Sequence, residues 1–232
     1  MKLSKKWLAA ASCAAALLVS GPLAAQDDSR FSLELEVGPA WQSKNDVQIP
    51  NDLTGTRFSL KDLVGTGPWA AGRIYFTWNI KPKHSLRLLA APLSYTETGV
   101  FDEPVNFAGA SYEAGTPVDA TYQFNSWRIG YRWKFKDGDR WKLWLGFTAK
   151  VRDARIELEQ GDTTSEDTDQ GFVPLLAFAA DYRFADRWHA VFDFEGLAGG
   201  PGRAIDASLK IGYDVNEKWA VTAGYRMVEG GV

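Results

Sequence analysis

From Phe31 onward, apolar and polar side chains alternate with a period of two. "RFSLELEVGPAW" sets Phe31, Leu33, Leu35 and Val37 against Ser32, Glu34, Glu36 and Gly38, and "GRIYFTWNI" sets Ile74, Phe76, Trp78 and Ile80 against Arg73, Tyr75 and Thr77. "NSWRIGYRWKF", "WKLWLGFTAKVR" and "WAVTAGYRM" repeat the arrangement, with Trp127, Ile129, Tyr131, Trp133 and Phe135 opposing Arg128, Gly130, Arg132 and Lys134 in the first. Successive strand residues point to opposite faces, so this period predicts strands with one apolar and one polar face. Nine are readable, centred near residues 35, 76, 89, 129, 148, 178, 193, 209 and 223.

Their connections alternate in length. Short turns fall at 81–84, 136–139, 185–187 and 216–218, and longer loops at roughly 42–68, 96–117, 159–171 and 198–203. Short turns at one end and long loops at the other mark an outer-membrane barrel. The tryptophans agree: Trp78, Trp133, Trp141, Trp188 and Trp219 fall beside short turns, while Trp41 and Trp69 bracket the first long loop. Amphipathic rings collect at membrane interfaces, so these seven are expected to form two aromatic girdles. A water-soluble sandwich or small barrel also alternates, but with its apolar face inward.

The expected fold is therefore all-β, an antiparallel up-and-down transmembrane β-barrel. Bacterial single-chain barrels close with an even strand number, and an open edge in lipid leaves backbone groups unsatisfied. Nine strands imply a tenth, expected beyond Val232 in a longer natural chain that is truncated here. The competing explanation is a miscount at 85–125, where the alternation changes phase at Phe124 and Asn125.

The first 25 residues, with Lys2, Lys5 and Lys6 ahead of an apolar run and small residues before Gln26, read as a secretory signal peptide cut after Ala25. Cys13 belongs to that leader, since "AAS" before it lacks the large aliphatic residue of a lipoprotein site. Residues 26–232 are the barrel domain, with 23 basic side chains against 29 acidic and no cysteine. Disulfides and thiolate metal sites are excluded, and a nucleic-acid partner lacks the basic surplus it needs. The expected partners are outer-membrane lipid, lipopolysaccharide and the outer-membrane assembly machinery of a Gram-negative cell. No cofactor is implied.

The segments "HSLRLLAAPL", "GFTAKVRDARIEL", "GFVPLLAF", "GRAIDASLKIGY" and "GYRMVEGG" resemble a family of uncharacterised Gram-negative outer-membrane β-barrel proteins. The resemblance spans most of residues 26–232. It implies location and fold, and no activity.

Alternation assigns Arg73, Arg87, Arg128, Arg132, Lys150, Arg152, Arg183, Lys210 and Arg226 to the lumen, with Glu34, Glu36, Asp181, Asp193, Glu195 and Asp206. Opposite charges on opposite walls of a narrow bore are expected to pair, because buried charges need partners. The alternative is a narrow pore for small anions, drawn by Arg128, Arg132, Lys150 and Arg152.

Catalytic constellations are sparse. His84 and His189 stand beside short turns, away from the long-loop end, His84 and Ser85 point to opposite strand faces, and no G-x-S-x-G elbow occurs. The Gly-rich "LAGGPGRA" lacks the strand-to-helix context of a phosphate cradle. Asp162, Glu166 and Asp169 in "EQGDTTSEDTDQG" are the weak candidates for an oxygen-ligand metal site, at a spacing that fits no calcium loop. The sequence reading is thus a charged, largely plugged barrel with a structural or recognition role through loops 42–68 and 96–117. The alternatives are the anion pore and a hydrolase with an unrecognised rim site.

Overall fold

A computed structural model describes residues 8–16, 29–199 and 202–231. The strands are β1 Leu8–Ala16, β2 Phe31–Val47, β3 Phe58–Ser59, β4 Trp69–Lys81, β5 His84–Ala91, β6 Ser94–Val100, β7 Val105–Phe107, β8 Ala110–Tyr112, β9 Pro117–Asp137, β10 Trp141–Gln160, β11 Thr163–Arg183, β12 Trp188–Gly199, β13 Gly202–Asp214 and β14 Ala220–Gly231. One short helix, α1 Leu60–Val64, is capped by the Ser59 hydroxyl, which accepts from the Asp62 N–H at 3.1 Å.

All pairings are antiparallel, in the order β1-β14-β13-β12-β11-β10-β9-β5-β4-β2, and β1 also pairs with β2, so the ladder returns on itself through ten strands. Each of the nine strands read from the sequence is present. The tenth place, between β14 and β2, is held by Leu8–Ala16 from within the expected leader, whose other residues lie outside the described ones. Side chains also span this seam independently of β1: Arg226 on β14 reaches Glu36 on β2 at 2.8 Å.

The wall is apolar outside and charged inside. Phe147 is 62% exposed and Leu145 47%, while their neighbours Thr148 and Lys150 are 3% exposed on the inner face. Trp133, Trp141, Trp188 and Trp219 are exposed near the short-turn end, and Trp78 and Trp41 are half-buried. Trp69 departs from the expected girdle. It lies on the same β4 face as Arg73 and Tyr75, its ring stacks on Tyr95 at 3.7 Å, and its indole N–H donates to Glu97 at 2.9 Å.

The apparent phase change at Phe124 is a change of environment along one inner face. β9 runs unbroken, with Val118, Ala120, Tyr122 and Phe124 turned inward in its first half and Ser126, Arg128, Arg132 and Lys134 in its second. The apolar half meets a cap formed by the segments around α1 and the β7–β8 hairpin. Phe107, Leu60, Tyr112, Ile156, Leu158 and Val47 are almost wholly buried there, and the Tyr112 hydroxyl donates to the Leu158 carbonyl at 2.9 Å. The segments expected to be long loops are thus partly folded against the inner face of the wall.

The expected loop at 159–171 is mostly strand. Gln160 pairs with Thr163 across a two-residue turn, where Gly161 takes φ 59, a left-handed conformation that glycine adopts without strain. This stretch carries polar residues on both faces, which erases the alternation that marks strands elsewhere. The expected 198–203 loop is also short, since Gly199 pairs with Gly202; Gly200 and Pro201 lie outside the described residues.

Phe107→Ala is expected to lower unfolding stability by about 3–5 kcal/mol, as for large aromatics removed from packed cores. It should also open the cap segments to limited proteolysis. An unchanged stability and cleavage pattern would return these segments to the status of free loops.

Candidate functional site

The inner face holds three layers. Toward the short-turn end, strand alternation directs Glu34 and Glu36 from β2, Arg73 from β4, Arg87 from β5, Arg128 and Arg132 from β9, Asp193 and Glu195 from β12, Asp206 and Lys210 from β13, and Arg226 from β14 into one belt. Arg132 binds Asp193 through both terminal nitrogens at 2.9 Å, and Asp193 also accepts from Arg87 at 2.6 Å. Arg128 reaches Glu195 at 2.6 Å and Asp206 at 2.8 Å. Asp206 gathers Arg73 at 2.8 Å and Arg226 at 2.5 Å, while Lys210 joins Glu34 at 2.6 Å and Glu36 at 2.7 Å.

Most of these contacts join strands that are not neighbours in the sheet. They cross the bore. Tyr75 stands among them, accepting from Arg73 Nε at 2.8 Å while the Arg87 guanidinium lies 3.9 Å from its ring centroid. Two-fold and three-fold sharing of carboxylates satisfies donors that would otherwise be stranded, since an unpaired buried charge costs several kcal/mol.

Arg183 and Asp181 were assigned to the lumen, but they line its short-turn mouth. The Arg183 side chain is 35% exposed and pairs with Asp214 at 2.8 Å; Asp181 is hydrogen-bonded to His189 at 2.8 Å. Their position at the end of β11, next to the turn, leaves them at the rim. His189 is buried against Gly212, where an added Cβ would fall 2.1 Å from its Nε2, so only glycine leaves room for the ring. His84 is held instead by the Tyr131 hydroxyl at 2.6 Å.

Lys150 and Arg152 lie above the belt, apart from it. Arg152 is paired with Asp169 at 2.5 Å. Lys150 is 3% exposed, and its ammonium rests 4.9 Å from the Phe124 ring centroid with no carboxylate within ion-pair distance among the described residues. The sequence placed it in the lumen but gave no sign of its isolation, which depends on strand register.

The acidic candidates for a metal do not converge. Asp162 lies in the hairpin turn, Glu166 and Asp169 fall on opposite faces of β11, and Glu166 faces Arg155 at 3.5 Å. Among the described residues no cluster of three or more metal-ligating side chains occurs. At the long-loop rim, Asp46 is held below its ordinary carboxylate range chiefly by its hydrogen bond from Arg57, at 2.8 Å.

No protein-family model and no curated protein matches the chain. Among solved structures it is similar to a FadL homologue of Pseudomonas aeruginosa, at 14% identity and a TM-score of 0.37 over 88% of this chain and 63% of that one. It is also similar to the toluene transporter TbuX of Ralstonia pickettii, at 11% identity and 0.35 over 88% and 63%, and to TodX of Pseudomonas putida, at 10% and 0.32 over 87% and 65%. The chain spans less than two thirds of the length of each. These scores assign neither a site nor an activity.

Asp206→Asn is expected to destabilise the barrel by about 3–5 kcal/mol, because it leaves Arg73, Arg128 and Arg226 short of a shared counter-charge. A urea titration compares it with the wild type. A loss below about 1 kcal/mol, the scale of an exposed pair, would mean that water enters the belt freely.

Proposed function

We propose that the chain is a bacterial outer-membrane β-barrel, exported by its leader, whose bore is closed in two layers and whose capped rim serves a structural or surface-recognition role. The observation that carries this reading is the inversion of the wall. Large apolar side chains including Phe147, Phe172, Leu176 and Leu209 are the exposed ones, while Arg128, Arg132, Lys210 and Arg226 are buried. A soluble barrel has no reason to bury its charges and display its aromatics; a wall facing hydrocarbon has. Lipid and lipopolysaccharide are then the partners of the outer face.

Two features support closure over conduction. Arg128 and Arg132, the arginines that would draw anions into a pore, are engaged by Glu195, Asp206 and Asp193. Above them the cap packs apolar side chains into the long-loop mouth. The rim keeps a groove of about 700 Å³, lined in part by Asn51, Asp52, Thr54, Asn106 and Ser111, as a polar surface for recognition. The hydrolase alternative has less to stand on, since the Asp181–His189 pair lies at the opposite end from that rim.

Phe147→Arg tests the membrane reading. Folding into lipid vesicles is expected to weaken by about 2–4 kcal/mol, the cost of a basic residue at mid-bilayer. A soluble barrel would tolerate the change. Closure is tested separately in planar bilayers: the intact barrel should show no steady conductance, and removal of residues 101–116 together with Asp206→Asn should create it. Steady conductance in the intact barrel that falls on Arg128→Met would establish the anion pore instead.

A further inference from the structure

The wall is not continuous. β11 and β12 pair from Arg183 opposite His189 to Leu176 opposite Gly196, and the pairing stops there although both strands continue. Above that point Leu197–Gly199 pair only with β13, and Pro174 pairs with Ala149 of β10 with no partner on the β12 side. Proline cannot donate to a ladder and belongs at edges. An edge within a lipid-facing wall is tolerated only where it borders a cavity or other protein.

A cavity is there. About 260 Å³ opens behind the break, with Phe172, Pro174 and Leu197 at its mouth, Tyr122 and Phe124 on its far wall, and Lys150 among its lining. Phe172 is 69% exposed and Leu197 42%, so the mouth is apolar. Below it the crossed ion pairs fill the bore, and above it stands the cap. The space therefore opens sideways, at the outer half of the wall.

Of the charged groups that line the cavity, Arg152 is paired with Asp169 and Arg203 with Glu229, which leaves Lys150 to give it its chemistry. Lys150 is 97% buried, yet while Arg128 is paired within the belt and Arg152 with Asp169, Lys150 meets only the face of Phe124 among the described residues. A cation–π contact returns part of the lost hydration of an ammonium, and an anion would return more. We propose that the break between β11 and β12 is a lateral port to a dead-end binding site for a single-chain anionic amphiphile, whose head meets Lys150 while its tail lies along Phe172 and Leu197 into the bilayer. The volume sets the class. Ligand pockets commonly run to about 300–1,000 Å³, so this one holds a head and part of one chain and leaves the rest outside. The head is a carboxylate or a phosphate; the shared requirement is an anion on an apolar chain.

This inference rests on the membrane-barrel reading, and the test keeps the two apart. The full barrel is purified in a non-ionic detergent, and heat-modifiable migration on a denaturing gel reports the fold of each variant. Binding is read by displacement of a fluorescent polyene fatty acid with oleate, a lysophosphatidic acid or oleyl alcohol. The folded wild type should prefer an anion to the alcohol by at least about tenfold, as expected for a charge-assisted contact in a dry site. Lys150→Met should abolish that preference and Lys150→Arg should keep it. Ala204→Phe, which fills the cavity, should weaken all three ligands. The better of oleate and the lysophosphatidic acid identifies the head. Equal binding of acid and alcohol by the wild type, or an unchanged preference in a folded Lys150→Met, overturns the proposal. Failure of the wild type to show the heat shift overturns the membrane reading first.

Discussion

Charge placed on the inside of a narrow barrel is the constraint on which the rest of this structure depends. A strand that shows Phe147, Leu145 and Val151 outward must turn Thr148, Gly146 and Lys150 inward, because its side chains alternate. Once arginines occupy that interior, each needs an acceptor, and most of the acceptors lie on strands across the bore. The belt formed by Asp193, Glu195 and Asp206 with Arg73, Arg128 and Arg132 thus links strands that share no backbone hydrogen bonds. It holds the bore at a width that side chains can span. It also ties β2 to β13 and β14 across the seam where the backbone ladder changes from one end of the chain to the other.

The layers above follow from the same need to fill the space. Where the inner face turns from Arg128 and Ser126 to Phe124, Tyr122 and Ala120, charges no longer serve, and the cap supplies Phe107, Tyr112 and Leu60 as packing partners. Between belt and cap the fit is incomplete. Lys150 stands in that interval, at the height where β11 parts from β12. A wall held from within by crossing side chains can lose a few backbone pairs locally, and the proposed port uses that freedom.

The strand pattern was legible because one face of each strand is apolar and the other is not. All nine strands and four short turns could be read from residues such as Phe31 to Val37 and Trp127 to Phe135. Reading failed where that contrast fails. Thr163 to Gln170 carry polar residues on both faces, so a long hairpin looked like a loop. In β9 the inner face becomes apolar against the cap, so a single strand looked like a change of phase. Trp69 was placed in a girdle by its position beside a loop, while its parity with Arg73 and Tyr75 pointed inward. The inner charges were legible as a set, but the identity of each partner was not, because pairing across a bore depends on register and on strands far apart in sequence. The isolation of Lys150 was hidden for the same reason.

Whether the alternating wall faces lipid on its apolar side can be read by cysteine scanning along β10. With Cys13 replaced by serine, single cysteines at successive positions from Leu143 to Val151 would be labelled in vesicles with a fluorophore and quenched by bromine carried on the acyl chains. A lipid-facing wall gives quenching at Leu143, Leu145, Phe147, Ala149 and Val151 and protection at Trp144, Gly146, Thr148 and Lys150. Quenching absent from both sets, or equal in both, would contradict it.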